Sequence, residues 1–150
     1  MKAVASNRKA YHDYFIVEDF EAGIQLIGQE VKSLRAGKAN LKDSYVRFKN
    51  EEAFIVKMHI SRYSHATRDD DYEPERTRKI LLHKREISKL MGKVKEKGLS
   101  VVPLEIFFNK RGYAKMKIAL VKGKKLYDKR ETIKKRDLER EMKNIKGFKA

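Results

Sequence analysis

The segment LSVVPLEIFFNKRGYAKMKIALVKG, residues 99–123, decides the reading of the fold. After its turn, NKRG, the residues Met116 and Ile118 alternate with Lys115 and Lys117. A period of two gives a strand one buried face and one wet face, so the segment reads as an antiparallel hairpin. Upstream, YHDYFIVEDFEAGIQLIG (residues 11–28) carries Tyr14, Ile16, Ile24 and Leu26 in the same period, with a turn expected within residues 19–23. SYVRFKNEEAFIVKMHI (residues 44–60) reads as a second hairpin, turning at Asn50 and Glu51.

Helical patterns are fewer. QEVKSLRAG (residues 29–37) places Val31 and Leu34 on one face with Gly37 as a stop. KREISKLMGKVKEKG (residues 84–98) spaces Ile87, Leu90, Met91 and Val94 helically before Gly98. DDDYEPERTRK (residues 69–79) reads as a loop entering a turn of helix at Pro74. The balance is a mainly β protein. Its expected form is a small closed antiparallel barrel, because closure removes sticky sheet edges, and the oligonucleotide-binding type is one common solution.

The 150 residues suit a single domain, and 41% hydrophobic residues are too many for wholesale disorder. Charged residues make up 39%, well above the roughly 25% of an average domain, and the net charge is +16. Such an excess is the footprint of a phosphate-rich partner. No apolar run is long enough to span a membrane, and the first twelve residues lack a signal-peptide core, so a cytoplasmic location is expected. The absence of cysteine excludes disulfides, zinc knuckles and thiol catalysis.

Charge also divides the chain. Residues 122–150 carry 12 basic and 5 acidic side chains, a net +7 in about a fifth of the length. A boundary is therefore expected near Gly123, with residues 1–122 as a folded body and 123–150 as a basic tail. In helical form the tail would align Leu138, Met142 and Ile145, with Asp128 and Glu131 as a capping box and Glu131–Lys135 and Glu139–Lys143 as supporting pairs. Three apolar residues do not sustain an independent fold, and each pair adds only about 0.2–0.5 kcal/mol. The expected tail is unfolded alone and folds on RNA.

Enzymatic constellations are weak. His12, His59, His65 and His83 form no H-x-x-x-H pair and flank no nucleophile elbow or phosphate loop, so no catalytic residue, cofactor or metal is expected. The acidic group Asp69, Asp70, Asp71, Glu73 and Glu75 raises a metal-dependent nuclease as an alternative, against the plainer reading of a solvated loop before a helix. Binding patterns are stronger. EVKSLRAGKANLK (residues 30–42) offers Lys32, Arg35, Lys38 and Lys42 as a row of phosphate contacts with Asn40 among them, and Lys110, Arg111, Lys115 and Lys117 cluster on the main hairpin.

NRKAYHDYFI (7–16), FEAGIQLIGQEVKSLRAGKANLKDSYV (20–46), RTRKILLHKREI (76–87) and GKKLYDKR (123–130), in this order and spacing, resemble the SsrA-binding protein family, the SmpB partners of transfer-messenger RNA. The resemblance covers nearly the whole chain. It implies an oligonucleotide-binding barrel with about three helices and no enzymatic activity, a monomer pairing one-to-one with that RNA. The body would hold the tRNA-like domain, occupying the volume of the missing anticodon arm, and the pair would rescue stalled ribosomes by trans-translation. Matching motifs imply that Asn7, Arg8 and His12 of NRKAYH, Glu21 of FEAG, Lys38 of AGKAN and Leu81 of KILL support binding of the tRNA-like domain. A core role is the alternative for Leu81.

For the tail, the same resemblance implies contact with the empty messenger channel and the small-subunit decoding centre, with a helix forming there. Lys124, Lys125, Tyr127, Asp128, Lys129, Arg130, Lys134, Lys135, Arg136 and Arg140 are its candidate residues, Tyr127 offering a flat face for stacking on an rRNA base. Two departures from the family pattern stand out: Arg62 occupies a place where proline is common, and DDDYEP replaces a His-Asp-Pro-type stretch. A ribosomal structural RNA-binding protein is the alternative reading of the whole chain.

Overall fold

A computed structural model of the chain describes residues 2–63, 71–96 and 98–124. The central element is the expected hairpin, β8 (Leu99–Phe108) with β9 (Ala114–Gly123). Met116 and Ile118 are fully buried while Lys115 and Lys117 point outward, as the alternation predicts. The alternation stops at Ala119, Leu120 and Val121, all buried. Here the strand is covered on both faces, because α1 (Arg8–Asp13) packs Ala10 against Val102, Leu104, Ala119 and Val121.

β9 pairs on its other side with β2 (Tyr14–Ile24), antiparallel over the length of both strands. The turn expected within residues 19–23 is absent, since β2 runs unbroken there and deviates only at a bulge between Ile16 and Glu18. Phe20, Ala22 and Ile24 face the core, and Asp19 and Glu21 face solvent. The acids and Gly23 that suggest a turn are the wet half of a strand.

The sheet continues from β2 to β7 (Arg78–Leu81), β5 (Glu52–Val56) and β4 (Tyr45–Lys49), while β1 (Ala3–Ser6) flanks β8, giving the order β1-β8-β9-β2-β7-β5-β4. β4 and β5 form the second expected hairpin. Asn50 and Glu51 both take left-handed backbone angles (φ 53° and 60°), which match the strand twist in a two-residue connection. No ladder among the described residues joins the end strands β1 and β4 into a closed ring. β4 nevertheless runs alongside β8 within 8 Å, Cα to Cα. A short pair, β3 (Ala39–Asn40) with β6 (His59–Ile60), stands apart from the large sheet.

Two helices fall where periodicity places them. α2 (Gly28–Arg35) inserts Leu34 into the core and ends at Gly37, whose φ of 75° suits glycine. α3 (Lys84–Lys93) inserts Leu90. The helical turn expected at Pro74 is instead a turn in which Arg76 N donates to Glu73 O at 3.2 Å. The side chains of Arg76 and Arg78 reach Glu30 on α2, which draws the chain out toward β7. His65, Asp69, Asp70 and residues 125–150 lie outside the described residues. So do the tail residues Lys125, Tyr127, Asp128, Lys129, Arg130, Lys134, Lys135, Arg136 and Arg140, and the Leu138, Met142 and Ile145 stripe.

Candidate nucleic-acid interface

Four candidate residues meet on the outer face of β2, β9 and β7. Lys117 stands opposite Glu21 in the ladder, and its Nζ lies 3.7 Å from Asp19 Oδ2. Lys115 stands opposite Gly23, and Gly23 stands opposite Leu81. A Cβ placed on Gly23 would sit 3.5 Å from Leu81 Cδ1 and 3.7 Å from Lys115 Nζ. The glycine thus lets an apolar side chain and an ammonium approach across one strand. Leu81 is 48% exposed, which answers the question of a core role: it is a surface residue. A shallow groove beside this set is lined by Glu21, Glu105, Phe107 and Lys117.

A second set gathers where α2 ends. Lys32 and Arg35 are exposed, with Lys32 Nζ 5.6 Å from the Tyr63 ring centroid. The Arg35 guanidinium lies 4.0 Å over the Phe108 ring, and its Nη2 reaches Gly112 O at 3.4 Å. These contacts join the helix to the β8–β9 turn that carries Lys110. Lys38 is exposed, and its carbonyl accepts from Ser61 N at 2.9 Å. Exposed Asn40 receives Lys42 N at its Oδ1, 2.9 Å away.

The remaining described candidates sit near α1, toward the other end of β9. Asn7 is 5% exposed and caps the helix, its Oδ1 accepting from Ala10 N at 3.1 Å. Its Nδ2 donates to Pro103 O at 2.9 Å and Leu41 O at 3.4 Å. Both side-chain groups are thus spent inside the protein. Arg8 and His12 are exposed, with His12 Nδ1 3.0 Å from Asp13 Oδ1. Lys124 Nζ lies 5.1 Å over the Phe15 ring and 3.5 Å from Tyr11 O, at the point where the described chain leaves β9. The ten-residue strand separates this exit from the Lys115 end by about 30 Å.

Sequence reasoning missed the polar cluster beneath α2. Glu30 is buried and accepts from Arg76 Nε at 3.0 Å, Arg78 Nε at 2.7 Å and Ile27 N at 3.0 Å. Arg78, also buried, donates to Met58 O at 2.7 Å and Pro74 O at 2.9 Å. Burial opposes the Glu30 charge, yet the hydrogen bonds from Arg76, Ile27 and Arg78 hold its carboxyl below the ordinary value. The Tyr72 hydroxyl, 2.8 Å from Ile60 O, is pushed up by burial and then by the Glu30 charge. One signal was present: Glu30 precedes Leu34 by four residues, so it shares the inward helical face and needs cations. The cluster fixes the angle of α2, and with it Lys32 and Arg35.

Of the acidic stretch, Glu73 Oε1 accepts from Glu75 N at 3.2 Å, and Glu75 Oε2 lies 3.7 Å from His59 Nδ1. Among the described residues no three His, Asp or Glu side chains gather as a metal site. No helix among them is long and apolar enough to cross a membrane.

A family model described as SmpB protein matches residues 4–147. The SsrA-binding protein of Moorella thermoacetica is 56% identical over 142 residues, covering 95% of this chain and 91% of the relative. That of Thermosipho melanesiensis is 52% identical over 148 residues, covering 98% and 100%. A solved structure described as "tmRNA-SmpB: a journey to the center of the bacterial ribosome" matches with a TM-score of 0.68 at 49% identity, over 79% of this chain and 82% of that one. With the antiparallel sheet, the three helices among the described residues and the exposed basic side chains in place, this chain belongs to the SmpB protein family.

Proposed function

We propose that this protein binds the tRNA-like domain of transfer-messenger RNA and brings it to stalled ribosomes for trans-translation, acting as an adaptor and not as an enzyme. The observation that carries the reading is the 49% identical tmRNA-SmpB structure, whose fold the body shares. Residues 1–122 form the RNA-gripping body, and its curled sheet, with β4 beside β8, is read as an oligonucleotide-binding barrel. Residues 123–150 form the tail for the vacant messenger channel and decoding centre. The protein works in the cytoplasm as a monomer, one per RNA.

Within the body, Lys115, Lys117, Lys110, Lys32, Arg35, Lys38 and Arg8 supply phosphate contacts. Glu21, His12 and Asn40 supply hydrogen bonds, and Leu81 supplies an apolar contact to sugar or base. Asn7 acts through α1, which it caps, because its own groups are turned inward. The test is to capture cellular RNA on the full-length protein and sequence it. One dominant small RNA with a tRNA-like end is expected. Ribosome association that is unchanged in cells lacking that RNA would instead favour a ribosomal structural protein.

A further inference from the structure

We propose that Tyr113 is a stacking platform for an unpaired RNA base. This inference rests on the RNA-binding reading above and adds a contact to it. Tyr113 is 64% exposed, the most exposed large apolar side chain among the described residues. An isolated exposed tyrosine is ordinary. Three features make this one different.

The first is rigidity. Asn109 Oδ1 accepts from both Arg111 N at 3.0 Å and Tyr113 N at 2.9 Å, and Asn109 N donates to Tyr113 O at 3.0 Å. Gly112, with φ 84°, completes the turn and donates to Asn109 O at 2.9 Å. The backbone of Tyr113 is therefore held at both ends before any ligand arrives, which lowers the ordering cost of stacking. The second is charge. Lys110 and Arg111 precede Tyr113 in the same turn, and Arg35 Nη2 binds the carbonyl of Gly112. An exposed ring whose own turn carries Lys110 and Arg111 offers a flat face with cations near it in the chain, the combination that single-stranded nucleic-acid sites use.

The third is position. Ala114 follows Tyr113 and opens β9, so Tyr113 lies two positions before Lys115, the spacing that puts side chains on one side of an extended chain. A base unstacked from a loop or bulge could lie on the ring while its neighbours reach the lysines. A polypeptide partner fits less well, because the turn from Asn109 to Tyr113 carries Lys110 and Arg111 and no acidic side chain.

The chain contains no tryptophan, so Tyr113→Trp creates a single tryptophan reporter at the tip of the full-length protein, excited selectively over the remaining tyrosines. Its emission is read on titration with a transcript of the tRNA-like domain and, separately, with vacant ribosomes. Quenching by the transcript assigns the base to transfer-messenger RNA, and quenching only by ribosomes assigns it to rRNA; either supports the stack. Tyr113→Ser should weaken binding to the quenching RNA about tenfold with an unchanged salt slope, and Tyr113→Phe should restore it. Unfolding midpoints of both variants should match the wild type.

Unquenched emission with both RNAs, or wild-type affinity in Tyr113→Ser, would overturn the assignment while the wild type still binds. A blue shift without quenching on ribosomes would also overturn it, by placing a protein surface over the ring. If the wild type itself shows no preference for the tRNA-like transcript over arbitrary duplex, the underlying RNA-binding reading falls and the stack with it.

Discussion

Arg78 and Glu30 form a wholly buried ion pair, Nη2 to Oε2 at 2.6 Å, that ties β7 to α2. Removing Arg78 takes the fully buried cation from Glu30 and leaves it the half-exposed Arg76, in a medium that solvates charge poorly. Arg78→Met should lower unfolding free energy by about 3–5 kcal/mol in urea titration. Adding Glu30→Leu should recover part of that loss, because it removes a buried carboxylate that only the half-exposed Arg76 and Ile27 N would still hold.

The same carboxylate sets an acid limit. Its folded value lies below its ordinary 4.5, so its stabilising contribution is complete above that value and is lost as pH falls through the folded value. The stability gap between wild type and Glu30→Gln should therefore be constant from neutral pH down to about 5 and should narrow below 4.5. Urea midpoints measured between pH 7 and pH 3 check this. A gap that widens with acid would mean the carboxylate is not held by the arginines.

Asn7 and Arg8 are neighbours with opposite expectations. Asn7→Ala removes a helix cap and leaves the Pro103 carbonyl short of a donor, so it should cost about 1–2 kcal/mol of stability. Arg8→Ala should leave stability within about 0.5 kcal/mol and weaken RNA binding, flattening the log K against log salt slope by about one unit.

Leu81→Ala should change stability little, since the side chain is half exposed, yet should weaken binding of the tRNA-like domain. Calorimetric unfolding paired with filter binding separates the two effects. Equal affinity would remove Leu81 from the interface.

Binding through about six phosphates predicts a log K against log salt slope of roughly −4 to −5. Truncation after Tyr127 should keep that slope and the affinity while abolishing peptide tagging in a reconstituted translation system. A large affinity loss on truncation would contradict separate RNA surfaces for body and tail.

The parts of the fold legible in the sequence are those whose burial pattern is simple. The β8–β9 hairpin, the β4–β5 turn and the two helices with a stripe of large apolar residues follow from periodicity alone. α1 was invisible because it is six residues long and its one buried residue is Ala10. β2 reads as two strands around a turn because a solvated strand face made of Asp19, Glu21 and Gly23 has the composition of a turn. Among site residues, the outward lysines were legible from alternation. The proximity of Leu81 to Lys115 was not, since it depends on three strands meeting at Gly23.

β9 is paired on both flanks from end to end, with β8 on one side and β2 on the other. The chain therefore leaves the body from a root held on both flanks, and amides near Val121 should exchange more slowly than those of the end strands β1 and β4. The position of Lys124 relative to the body is therefore set by the paired strands, and that exit point moves with the body as one piece.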